Sequence, residues 1–188
     1  MKKLFLMMSI TLIFLTGCVF DSKKDTVKNT SNSSSTKLPS ESSQNQEVVT
    51  KTLVGNIENI HHRDTITYQG KTMLSLRMEL VSDLPQDVTD RAVDLTPEEM
   101  TSRLQTVIQS DPEYVAAQNI DGFSTDYSVT ADKKLQVIVD IDFQKANLDE
   151  VEKLSFFKNL GLEDLKHVTP ELFISGMKLN NLQEETNP

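Results

Sequence analysis

The chain has 188 residues, a formal net charge of −9, 37% hydrophobic side chains, one cysteine and no tryptophan. The acidic balance repels nucleic acid and anionic lipid headgroups, so no nucleic-acid partner is expected. A single cysteine excludes an internal disulfide and a cysteine-rich metal cluster.

Lys2 and Lys3 open the chain with positive charge, and Leu4 to Leu15 is apolar apart from Ser9 and Thr11. A helix of that length reaches about 18 Å, short of the roughly 20 residues needed to cross a bilayer core. The run therefore reads as the core of a secretory signal. Leu15-Thr16-Gly17-Cys18 follows and resembles the lipobox of bacterial lipoproteins. The resemblance implies that Leu15, Thr16 and Gly17 are recognised by the processing peptidase, that the chain is cut after Gly17, and that Cys18 is the lipid attachment point. The Cys18 thiol would carry diacylglycerol and the new amino group a further acyl chain, enough for stable anchoring. The expected location is the extracytoplasmic face of a bacterial cell membrane, with the membrane itself as a partner through Cys18 and an envelope protein as a possible second one.

From Val19 to Glu47 the composition turns to Ser, Thr, Asn and Gln, as in "TSNSSSTKLPSESSQNQE". Such a segment cannot bury enough apolar surface to offset its ordering entropy. As a flexible linker it reaches roughly 30 Å. The domain map is thus a signal peptide over 1–17, a lipidated cysteine and disordered tether over 18–47, and one folded domain over 48–188. That domain holds 13 Lys/Arg against 24 Asp/Glu, a net charge of −11.

Within it, "TLVGNIENI" and "DTITYQ" read as strands, followed by a turn at Gln69-Gly70 and an alternating strand with Met78 and Leu80 on one face, Arg77 and Glu79 on the other. "DLPQDVTDRAVDL" reads as a loop. Thr96-Pro97-Glu98-Glu99 predicts a capped helix start, with Met100, Leu104, Val107 and Ile108 on one face. Asp111-Pro112 should break or restart that helix. "FSTDYSV" and "KLQVIVDIDF" form a second hairpin through Ala131-Asp132-Lys133, with Val137, Val139, Ile141 and Phe143 sharing a face. A helix is expected from about Leu148 to Asn159, stopped at Gly161, and another from Thr169-Pro170-Glu171 that groups Leu172, Phe173, Gly176 and Met177. The fold class is α+β: an antiparallel sheet built from hairpins, with about three helices packed on one face. The segments "ITYQGKTMLSLRMEL", "LTPEEMTSRLQTVIQ" and "IDGFSTDYSVTADKKLQVIVDIDFQKANLDEV" are similar to the YehR-like family of bacterial lipoproteins. The resemblance implies a small α+β lipoprotein domain and supplies no activity or catalytic residue.

Four groups of residues suggest chemistry. Ser155-Phe156-Phe157-Lys158 fits the S-x-x-K nucleophile pattern, in which a lysine one helical turn away takes the serine proton; its companion motifs are absent from the domain, so no catalytic residue is expected. His61-His62 would point to opposite faces of a strand, and would chelate only in a turn, with His167 or an aspartate as third ligand. Asp83, Asp87, Asp90 and Asp94 lack the spacing of a calcium loop. Asp140 and Asp142 project from one sheet face and form the candidate ligand face, because paired carboxylates can serve acid–base work or bind a hard cation. No cofactor and no metal are expected. The reading of function is a membrane-anchored extracytoplasmic lipoprotein acting as a non-enzymatic binding or interaction module, with a small-ligand or metal-ion binder as the alternative.

Overall fold

Alternation of apolar side chains fixes the strands, and turns set their register. The computed structural model describes residues 46–159 and 165–185. The expected signal peptide, lipobox and all but the last two residues of the tether lie outside them.

Strands β1 (Val48–Ile57) and β2 (Ile60–Gln69) form a hairpin paired over its whole length. Its turn is Glu58-Asn59, with φ of 48° and 68°, the doubly left-handed geometry that matches strand twist. The single strand expected through residues 52–60 is therefore two strand ends and a turn. Glu58 is not a usual residue in that conformation, which hid the turn. β3 (Thr72–Ser82) follows Gly70, whose φ of 59° supplies the expected second turn. A register shift beside Thr67 and Tyr68 leaves Leu74 as a bulge, so that Met73 as well as Leu76 is buried.

The chain then leaves the sheet through α1 (Gln86–Arg91), α2 (Pro97–Ile108) and α3 (Pro112–Ala117). α1 stands where a loop was expected; with no buried residue, it carries no amphipathic signal. α2 has the complete capping box: Thr96 accepts from the Glu99 amide, and the Glu99 carboxylate accepts from the Thr96 amide. Met100 is buried, but Val107 is 67% exposed, which corrects the face expected for this helix. α3 restarts at Pro112, where Asp111 caps the Glu113 and Tyr114 amides.

β4 (Phe123–Val129) and β5 (Leu135–Asp142) make the expected hairpin, and β5 returns to pair with β3. The helix expected over 148–159 is two short ones, α4 (Leu148–Val151) and α5 (Ser155–Asn159). Gly161 lies outside the described residues. A 3-10 turn (Leu165–His167) precedes α6 (Pro170–Leu179), capped by Thr169, and the described chain closes with the two-residue strand β6 (Gln183–Glu184). In α6, Phe173 is buried, whereas Leu172 is 64% exposed and Gly176 faces open space. The expected grouping of those residues divides between the two sides of the helix.

The result is α+β: one antiparallel six-stranded sheet in the order β4-β5-β3-β2-β1-β6. Its inner face, with Leu53, Ile66, Leu76, Met78, Val139 and Ile141, packs with Val151, Leu154, Phe157 and Phe173 from the helical segments. Phe123 meets Phe157 edge to face at 5.6 Å between ring centroids. A smaller cluster joins Ala92, Met100 and Val129 under α2. Among the described residues, no buried strand side chain lies on the opposite face. No described helix is long and apolar enough to cross a membrane.

Candidate functional site

The outer face, which no described element covers, is a polar surface assembled by strand register. One row runs across five strands through Thr52, Thr65, Arg77, Asp140 and Ser124. Thr52 and Thr65 are hydrogen-bonded at 3.0 Å, and Thr50 and Thr67 at 3.1 Å. Arg77 is the centre of the row. Its Nη1 donates to both Asp140 carboxylate oxygens at 3.0 and 2.8 Å, and its Nε donates to Glu79 at 3.0 Å. These contacts, Glu79 first, raise the Arg77 guanidinium above its ordinary value.

Asp140 and Asp142 do share a face, as expected. Neither is a bare carboxylate. Asp142 accepts from the Gln144 amide at 3.0 Å and pairs with Lys145 at 3.1 Å. Lys145 above all, then that amide, holds Asp142 below the usual carboxylate range, and Asp142 in turn raises Lys145. An open groove of about 350 Å³ lies here, with Asp121, Ser124, Arg77 and Lys145 beside the two aspartates. Gly122 shapes its wall. It has a φ of 70°, its carbonyl accepts from the Asp142 amide at 2.7 Å, and a Cβ there would sit 2.7 Å from the Lys145 side chain and 2.8 Å from the Ala146 nitrogen. Chemically the groove offers exchangeable ion pairs. A carboxylate held low is a poor proton donor near neutrality, so the arrangement suits recognition of charged or polar groups.

The other candidates separate. His61 is exposed and meets Asn56 at 3.2 Å, while His62 is buried, so the pair does point to opposite faces. The structure does not bring His61, His62 and His167 together as ligands: among the described residues, no three His, Cys, Asp or Glu side chains could hold a metal ion. Asp83 pairs with Lys134 at 3.1 Å, Asp87 lies 3.9 Å from Arg91, and Asp90 accepts from Gln86 at 2.8 Å, each at the surface. Ser155 donates from its hydroxyl and its amide to the Glu113 carboxylate. The Lys158 side chain lies outside the described residues.

One site was not singled out by the sequence reading. Asp64 is fully shielded and His62 is 5% exposed, both on the core side of β2. Oδ2 of Asp64 is 3.4 Å from Nδ1 of His62, and among the described residues neither that nitrogen nor either carboxylate oxygen makes a well-aligned hydrogen bond. Burial pushes the Asp64 carboxyl up, against a smaller opposing pull from His62. The signal was present: Ile60, His62, Asp64 and Ile66 recur at the strand period of two.

An antiparallel sheet with helices on one side and a charged, uncovered face on the other defines a small α+β domain class. Residues 48–177 match a protein-family model, and the chain belongs to that YehR-like family. An NMR structure of a protein from Streptococcus pneumoniae TIGR4 is similar at 27% identity with a TM-score of 0.64, covering 90% of this chain and all (100%) of that one. The NMR structure of the YehR protein of E. coli has the same fold at 21% identity with a TM-score of 0.51, covering 74% of this chain and 91% of that one. No curated protein matches the chain.

Proposed function

We propose that this protein is a lipid-anchored lipoprotein on the extracytoplasmic face of a bacterial membrane, and that its folded domain is a non-enzymatic binding or interaction module. The observation that carries the reading is Leu15-Thr16-Gly17-Cys18 at the end of an apolar run too short to span a bilayer. The Ser/Asn-rich stretch over 18–47 supports it by giving the domain reach from the lipid. The uncovered sheet face supports the binding half, since it presents charged side chains in fixed register. The net charge of −11 on residues 48–188 keeps nucleic acid off the partner list and the domain away from anionic headgroups.

The test is cross-linking on intact cells with a tagged chain and a Cys18→Ala control. One dominant protein captured only by the anchored form supports the module. Capture of the same protein by the released control at equal yield overturns the dependence on the anchor. Separately, Cys18→Ala should move the protein out of the membrane fraction. A variant still wholly membrane-bound with its signal cleaved sinks the lipobox reading.

The groove beside Asp140 and Asp142 favours a second reading, a small-ligand or metal-ion binder. Calorimetry of the domain with divalent cations and with small ammonium or carboxylate compounds tests it. Heats abolished by Asp140→Asn support that reading, and heats unchanged by Asp140→Asn and Asp142→Asn remove it.

A further inference from the structure

We infer that the buried His62–Asp64 pair is a proton-controlled latch for the C-terminal strap, residues 180–185: while the pair keeps one proton the strap stays closed on β1, and loss of that proton to water loosens it.

Register places the strap on the stretch of β1 that pairs with His62 and Asp64. His62 stands directly opposite Gly55 in the β1–β2 ladder, and Asp64 opposite Leu53, all on the core side. Gly55 has no side chain because the strap's backbone occupies that space. A Cβ there would lie 2.9 Å from the Asn181 carbonyl oxygen and 2.9 Å from the Leu182 Cα. The strap thus crosses β1 beside the His62 position, with Leu182 buried in the core. Its hold on the sheet is slight: two ladder pairs, one amide hydrogen bond from Glu185 to Thr52 at 2.8 Å, and ion pairs at its rim.

The chemistry gives the direction. Asp64 lies between Leu53 of β1 and Met78 of β3, and His62 between Gly55 and Leu80, so neither neighbouring strand offers a charge there. Among the described residues, His62 is the one ionisable group that acts on Asp64. A lone carboxylate in such a place is costly unless it stays protonated or an imidazolium balances it. Either arrangement uses one proton. Because burial raises the Asp64 carboxyl, the stability tied to its proton is complete below the ordinary carboxylate value and is lost as pH rises through the raised folded one. The charged groups facing the strap from β1 and α6 work the other way. Lys51, then Lys178, hold Glu184 below its ordinary value at 2.7 and 3.3 Å, so their contribution is present above that value and fades in acid. Arg63 and Glu185, 2.6 Å apart on the outer side, complete the set. The strap is held best between the two titrations.

Amide hydrogen exchange at Leu182 and Glu185 tests this on the full chain, with rates corrected for intrinsic pH dependence. As pH rises from the ordinary carboxylate value through the raised folded one, opening should rise more steeply in the wild type than in Asp64→Asn, an isosteric neutral variant. The excess should approach about tenfold for each unit by which the folded carboxyl exceeds its ordinary value. Parallel profiles for the two proteins overturn the latch. A second measurement needs no variant: the Asp64 carboxyl carbon, followed by NMR, should titrate above the ordinary carboxylate range and together with the Leu182 amide. Titration at or below that range, or without any response at Leu182, also overturns it.

Discussion

Phe157, Gly55, Arg77 and Tyr127 show how differently single side chains act here. Phe157 is fully buried and joins Phe123 and Phe156 in edge-to-face contacts. Phe157→Ala should cost about 3–5 kcal/mol in urea unfolding, because the transfer loss and the cavity add. Gly55→Ala brings a methyl into contact with backbone, which a rotamer change cannot relieve. A loss of about 1–3 kcal/mol is expected in the same assay. Arg77 is prominent to the eye, yet it is 43% exposed, so Arg77→Ala should change stability by only about 0–1 kcal/mol. Tyr127 is pushed up to about 12, first by burial and then by Tyr114, Glu113 and Asp111. An alkaline absorbance titration should show one phenol ionising near that value. The fold favours the neutral phenol, so its stabilising contribution disappears as pH rises from the ordinary tyrosine value through the folded one.

Elements were legible where local chemistry repeats, and hidden where the decision is tertiary. The capping box at Thr96 and Glu99 and the Gly70 turn are local, and both formed as read from sequence. Thr96→Ala should accordingly destabilise the protein by about 0.5–2 kcal/mol, measured by denaturation. The β1–β2 turn was obscured because a glutamate occupies a left-handed position. Glu58→Gly should stabilise the hairpin by up to ~1 kcal/mol in the same measurement, since glycine meets no Cβ penalty there. The break between α4 and α5 and the outward turn of Leu172 and Val107 depend on what packs beneath them. Helical spacing alone could not reveal it.

At the scale of the whole molecule, the α+β class and the shared face of Asp140 and Asp142 followed from periodicity. The cations that answer those aspartates did not. Arg77 comes from a strand 63 positions away in sequence that becomes a neighbour only because β5 returns to pair with β3. Lys145 lies in the turn after β5, which packs so close to Gly122 that a Cβ there would sit 2.7 Å from the Lys145 side chain. Asp64 is the reverse case: its alternation with Ile60 and Ile66 was visible, but a charged residue on a core face runs against the ordinary rule for burial.

The entry point of the folded domain carries a mechanical consequence. The described chain enters β1 through Gln46, whose carbonyl accepts from the Gln69 side chain at 2.7 Å, and β1 then pairs with β2 from Val48 to Ile57. If residues 18–47 are drawn taut between a lipid and a bound partner, force arrives at that end of β1. A pull along the strand loads the whole ladder in shear, so its bonds share the load. A pull across it would peel them one pair at a time. Were the domain to hold a partner on that tether, its grip under tension would depend on the direction of the pull.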